Sequence, residues 1–178
     1  MGVQDLTLSM VLIVAVGVFL ASFMDAIAGG GGIISVPTYL LAGLPMHVAL
    51  GTNKLSAGLG SLASTGRYIK SGYVDWKLGV PSIVLALIGA HFGTSLQLMI
   101  EEKYLQYLLL IVLPVVAFIT LRTRKWPDET APLDLWLRRL IIWGSAFVIG
   151  EYDGYYGPGT GTFLMLVFIH LGKMDTRH

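Results

Sequence analysis

Two glycine-rich interruptions fall inside hydrophobic stretches of this chain, and each follows an aspartate. The first reads Asp25-Ala-Ile-Ala-Gly-Gly-Gly-Gly32-Ile-Ile, the second Asp153-Gly-Tyr-Tyr-Gly-Pro-Gly-Thr160-Gly-Thr. With Asp25 set on Asp153, Gly29 falls on Gly157 and Gly31 on Gly159, an offset of 128 residues (153 less 25). Consecutive glycines do not sustain a helix, and Pro158 removes a backbone donor as well. In lipid, backbone that leaves the helix must line a cavity or be packed in protein. Any fold for this chain has to enclose both breaks.

Composition places that constraint in a membrane. Of the 178 residues 54% are hydrophobic and 13% charged, against about 25% charged in soluble domains. Three stretches, 8–28, 78–100 and 104–121, each offer about 18 or more residues with at most one charge, enough to cross the hydrocarbon core. The chain reads as all-α, a polytopic integral membrane protein of the cytoplasmic membrane. Its net charge of +1, with the basic residues mostly in loops, gives no sign of a nucleic-acid partner. It has no cysteine, which excludes disulfides and thiolate metal sites.

Ala26-Ile27-Ala28 imitates a signal-peptidase site. The leading stretch 1–7, however, carries Asp5 and no Lys or Arg, so the basic region of a secretory signal is missing, and the first span is expected to be retained. Leu6 breaks the myristoylation pattern.

After the first break comes a short apolar segment, 33–44, with Pro37. At about 1.5 Å per residue it is too short to cross alone without thinning or an unwound extension. A turn at Leu44-Pro45-Met46 leads to a helix over 47–66, with Lys54 at its start. A loop over 67–77 follows, then the span 78–100 with Pro81 in its first turn. Glu101-Glu102-Lys103 connects to the span 104–121. A polar loop fills 122–139, 140–150 enters the second break, and 161–171 leaves it. The organisation is a first repeat with a linking helix over 1–121, a basic cytoplasmic loop over 122–139, and the start of a second repeat over 140–178. That repeat stops early. A whole copy needs about 80 further residues, so a truncated copy or fragment is expected, or one whose missing helices come from a partner or a second copy of the chain.

Orientation follows the basic loops. Arg67, Lys70 and Lys77 lie in one, and Arg122, Arg124, Lys125, Arg138 and Arg139 in another. Two spans separate these loops, so both are expected on the cytoplasmic side, with the Lys103 connection outside. Trp76, Trp126, Trp136 and Tyr104 fall at the interfaces, where aromatic belts form. If 33–44 counts as a full pass, the two broken segments run in opposite directions, the inverted repeat of many secondary transporters. If it is re-entrant, they run parallel. Inversion is the expectation.

Chemistry is expected at the breaks. A helix resuming after a break presents first-turn amides at its positive dipole end, a backbone anion site. Matched breaks in two halves mark a transporter's binding site. The candidate substrate-binding residues are Gly29, Gly30, Gly31, Gly32, Thr52, Asn53, Lys54, Gly157, Pro158, Gly159 and Thr160, with Thr162 a further hydroxyl. The plainer reading is a tight helical hairpin that needs close backbone approach. Neither run ends in Gly-Lys-Ser/Thr, so a nucleotide P-loop is rejected. Lys54 has no acidic neighbour in sequence, and a buried lysine needs a counter-charge, an anionic ligand or a lost proton. Gly58, Ser61 and Thr65 share its helical face, which suggests a protein-lined groove. Against that stands simple snorkelling to the interface. Asp25 and Asp153 suit proton or cation coupling, or plain capping of backbone amides. Gly89 and Gly93 form a GxxxG pair that suits helix packing. The histidines lack metal-ligand spacing, no nucleophile–base pair is visible, and neither enzyme activity, a cofactor nor a metal is expected.

These segments resemble the sulfite exporter TauE/SafE family of permeases. The residues that carry the resemblance are Asp25 to Gly32 with Ile33-Ile-Ser-Val-Pro37, Ala49-Leu-Gly-Thr-Asn-Lys54, Tyr73-Val-Asp-Trp-Lys77, and Tyr152-Asp-Gly-Tyr-Tyr-Gly-Pro-Gly-Thr-Gly-Thr-Phe-Leu164. The resemblance covers the chain from about Leu8 onward. It implies a two-repeat permease for sulfite, sulfoacetate or similar small anions, working by alternating access. Family members continue through a second lysine-bearing helix, from which this chain departs.

Overall fold

The computed structural model describes residues 8–122 and 133–173, and every regular element among them is an α-helix. In chain order these are α1 (Leu8–Ala28), α2 (Gly32–Leu41), α3 (Met46–Lys70), α4 (Trp76–Leu98), α5 (Glu102–Arg122), α6 (Leu135–Tyr155) and α7 (Thr160–His170). Three stretches are long and apolar enough to cross a membrane: Leu8–Ile27, Trp76–Leu98 and Glu102–Ile119. These are the three spans expected from composition. Arg124, Lys125 and Trp126 of the basic loop, the leading stretch 1–7 and the last residues 174–178 lie outside the described residues.

Helix ends differ from the sequence reading for local reasons. α4 starts at Trp76 because Asp75 caps it, its Oδ1 accepting from Lys77 N at 2.9 Å and Leu78 N at 3.4 Å. Pro81 therefore sits in the second turn, not the first. α3 begins at Met46 and continues to Lys70, so Lys54 lies about two turns inside it rather than at its start. α6 does not stop at Gly150. It carries Glu151, Asp153 and Gly154 to Tyr155, which shortens the second break to 156–159.

That extension follows from helix packing. α4 and α6 meet through small residues on both sides. Gly89 of α4 lies against the Phe147 carbonyl and Gly93 against that of Glu151, while Gly154 of α6 lies against the Ala90 carbonyl. A methyl on Gly150 would stand 2.6 Å from the Ala86 carbonyl oxygen. Thr94 Oγ1 adds a hydrogen bond of 3.2 Å to the Gly154 carbonyl. Such backbone approach holds helices together where lipid removes the hydrophobic drive. The register, with Ala86 at Gly150 and Ala90 at Gly154, makes α4 and α6 parallel.

α1 and α2 form a hairpin. Gly17 of α1 abuts Thr38 of α2, while Gly31 abuts Ala21 and Asp25, so the two helices are antiparallel. At the α6–α7 end, Tyr152 packs edge-on against Phe163 with ring centres 5.4 Å apart. The buried core lies between these units: Val36 of α2, Met46 and Leu50 of α3, Leu105 and Leu109 of α5, and Tyr156 from the second break. Beyond Lys54, α3 is exposed. Gly58 has nothing within 4 Å of a Cβ, and Ser61 and Thr65 are exposed too. The protein-lined groove expected along that face reaches Lys54 and goes no further among the described residues, because no described helix packs there.

Candidate functional site

The two breaks touch. A Cβ on Gly29 would stand 2.8 Å from Gly161 Cα, and one on Gly161 would stand 2.7 Å from Gly29 Cα. A Cβ on Gly32 would meet Pro158 Cα at 3.0 Å and Asn53 Nδ2 at 3.3 Å. Backbone approach this close requires glycine on both sides. The first turns of α2 and α7 are thus brought to one place, although about 128 residues of chain separate the motifs.

Each break turns through left-handed backbone. Gly29 has φ +66°, Gly157 +94° and Gly159 +87°, and Gly159 packs on Val116 of α5. Inside each turn the carbonyls are used locally. Gly30 O accepts from Ile33 N, Gly31 O from Ile34 N and Ser35 N, and Gly157 O from Thr160 N. Tyr152 Oη donates to Pro158 O at 2.7 Å. These carbonyls, with Gly159 O for Phe163 N, satisfy several of the first-turn amides of α2 and α7.

Lys54 reaches this junction from α3. Its ammonium donates to the Asp153 carbonyl oxygen and lies 3.9 Å from Asp153 Oδ2. A Cβ on Gly157 would stand 3.4 Å from the same nitrogen. The counter-charge that sequence could not locate for Lys54 is therefore Asp153, on α6 beside the second break. Asp153 Oδ1 in turn lies 2.7 Å from Thr160 Oγ1, which also lies 2.6 Å from Gly157 O. Neither partner is sealed in: the Lys54 side chain is 25% exposed and that of Asp153 42%.

Asp25 plays a different part from Asp153. Its Oδ1 accepts from Gly31 N at 3.0 Å, so it caps the amide of the residue before α2 while itself belonging to α1. Asn53, buried beside Lys54, accepts from Ser35 Oγ at 2.5 Å. Gly29, Gly31, Gly32, Asn53, Lys54, Asp153, Gly157, Pro158 and Thr160 are thus gathered, with Gly30 buried in the first turn. Thr52 is half-exposed, and no hydrogen bond ties it to either break among the described residues. Thr162 is buried on α7.

Sequence reading missed two contributors, Ser35 and Gly161, and left Tyr156 open between lining the cavity and packing. Ser35 follows the first break by one helical turn, and a polar residue at that spacing was the available signal. Gly161 carried no mark apart from its neighbours, because its role arises in contact with Gly29. Tyr156 is fully buried, and its hydroxyl finds no partner among the described residues. Leu109 of the same core cluster, and Leu40 packed against it, also line an open depression of about 580 Å³ with Pro45, Glu102 and Gln106. No three His, Asp or Glu side chains gather as a metal site among the described residues.

A bundle of apolar helices that brings together two facing breaks and the Lys54–Asp153 ion pair defines a multi-pass membrane protein with a polar centre. The chain belongs to the sulfite exporter TauE/SafE family, whose model matches residues 13–178. It is 35% identical over 170 residues to a probable membrane transporter protein, ORF9, of a Sinorhizobium species, covering 94% of this chain and 64% of that protein. Over 153 residues it is 35% identical to a probable membrane transporter protein of Haemophilus influenzae, covering 86% and 60%. Over 170 residues it is 32% identical to the probable membrane transporter protein YfcA of Escherichia coli, covering 95% and 61%. The chain thus spans less than two thirds of the length of these relatives. No solved structure matches it.

Proposed function

We propose that this chain carries the substrate site of a permease for small sulfur-containing or organic anions, sulfite and sulfoacetate among them. The observation that carries the proposal is the meeting of both glycine breaks at Lys54 and Asn53. Helix first-turn amides and an ammonium are both donors to anions, and they converge at one point. The family description and the relatives' names, all membrane transporters, support the same reading.

Asp153 supplies the coupling. While ionised it occupies Lys54, and an incoming anion meets a neutralised pair. Once protonated it releases the ammonium, and an anion takes its place. Proton and anion then load together. Asp25 stays on the Gly31 amide and holds the first break in shape. Alternating access needs the two halves to rock about the site. The antiparallel α1–α2 hairpin and the parallel α4–α6 pair favour broken units that enter from opposite faces.

Flux in proteoliposomes tests this, with sulfite, thiosulfate, sulfoacetate and chloride loaded in turn. Saturable movement of a sulfur oxyanion is expected, with Lys54→Ala lowering it by at least about tenfold, the scale of one charge-assisted hydrogen bond, while membrane insertion is unchanged. Full flux in Lys54→Ala would remove the lysine from the site. The second reading is a non-transporting membrane subunit or inactive fragment of such a permease. Absence of flux for every anion from inserted protein would select it.

A further inference from the structure

We propose that a cavity at Glu151, on the face of α6 turned away from Asp153, binds a small organic ammonium cation. Such a site stands apart from the permease reading above and does not depend on it. Glu151 precedes Asp153 by two positions on α6. At about 3.6 residues per turn, the two side chains leave the helix on nearly opposite sides. The Glu151 backbone is pinned against α4. A Cβ on Gly89 would stand 2.9 Å from Glu151 N, and Gly93 abuts the Glu151 carbonyl. Both glycines lie inside the span Trp76–Leu98. A carboxylate at that depth is costly, and such groups take a partner or line a cavity. Among the described residues none gives Glu151 a hydrogen bond or an ion pair. The lysine of the interior, Lys54, is already engaged by Asp153.

The cavity holds about 270 Å³ and is lined by Leu96 of α4 with Val148, Glu151, Tyr152 and Tyr155 of α6. The four α6 residues follow the spacing of a single helical face. That face sets one carboxylate between two phenol rings and a valine, with a leucine opposite. The Tyr152 ring is held in place, edge-on to Phe163 and with its hydroxyl on Pro158 O. A carboxylate repels an anion. A neutral apolar ligand would leave it buried and unpaired, at a cost. A metal ion such as calcium wants six or more oxygens, whereas this lining offers one carboxylate, and no three His, Asp or Glu side chains gather among the described residues. An organic ammonium satisfies every wall. Its charge pairs with Glu151, its substituents rest on Leu96 and Val148, and aromatic rings attract cations in their own right. The volume lies just under the usual range of about 300–1,000 Å³ for ligand pockets, which selects a small cation.

Equilibrium binding to the full chain in lipid nanodiscs tests this, with empty discs as the blank. The probes are benzyltrimethylammonium and neopentylbenzene, which share a shape and differ in charge. The unmodified protein is expected to bind the cation saturably and at least about tenfold more tightly than its carbon isostere. Glu151→Gln keeps the size of the side chain and removes its charge. It is expected to weaken the cation by about tenfold and to leave the isostere unchanged. Glu151→Asp, which restores the charge, is expected to recover most of the lost affinity. Tyr155→Leu should weaken the cation severalfold through the missing ring. No saturable binding of the cation, equal binding of the two probes, or full cation affinity in Glu151→Gln would overturn the proposal. Displacement of the cation by sodium at comparable concentration would overturn the assignment to organic cations.

Discussion

Lys54 shows how far a residue's neighbours in sequence can mislead. With no acid close by in the chain, it invited either an anionic ligand or a snorkelling side chain. The fold instead supplies Asp153, about a hundred positions away, through both its carbonyl and its carboxylate. The residue type was legible in sequence, while its place two turns inside α3 was not. Its partner was not, because the contact depends on two breaks docking against each other. Two predictions belong to this scale. Gly29→Ala would drive a methyl to 2.8 Å from Gly161 backbone at a residue with φ +66°. Overpacking together with a left-handed backbone is expected to cost about 1–3 kcal/mol or more, read as a lower melting temperature in detergent. Tyr156→Phe removes a fully buried hydroxyl that has no partner among the described residues. It is expected to leave the melting temperature unchanged or slightly higher, since an unpaired buried hydroxyl contributes nothing favourable. A clear loss of stability there would mean that the hydroxyl is bonded.

Among the elements, the apolar spans were readable from length and composition, and their helices lie where expected to within a few residues. The breaks were readable in place but not in extent. α6 runs through Asp153 and Gly154 because α4 offers it a matching stripe of Ala86, Gly89, Ala90 and Gly93. The Gly89 and Gly93 pair was visible in sequence, while its counterpart on α6 was hidden inside what read as part of the break. The second break is consequently tighter than it looked, and Asp153 is held by a helix rather than by a loop. Gly150→Val tests this packing. Its side chain would meet Ala86 backbone, where even a methyl stands at 2.6 Å. We expect about 1–3 kcal/mol of destabilisation and, since α6 carries Asp153, reduced flux alongside it. Wild-type stability in that variant would show that α4 and α6 are not in backbone contact.

For the whole molecule, the sequence legibly marked an all-α membrane protein with two related breaks, and the family match agrees. What it left open was whether the breaks meet, since periodicity and composition carry no information about contacts between distant segments. The basic loops predict orientation, and the absence of cysteine makes it simple to test. A single cysteine at Ser71 is expected to label from the cytoplasmic side, and one at exposed Met99 from the outside. Labelling of both from one side would break the proposed topology. The central claim is that Asp153 and an anion compete for Lys54, and the direct measurement is sulfonate affinity in the unmodified protein and in Asp153→Asn, which keeps an acceptor for Thr160 but carries no charge. The affinity should be higher in Asp153→Asn, where Lys54 has no carboxylate partner. Equal affinity in the two proteins, or loss of binding in Asp153→Asn, would contradict the account.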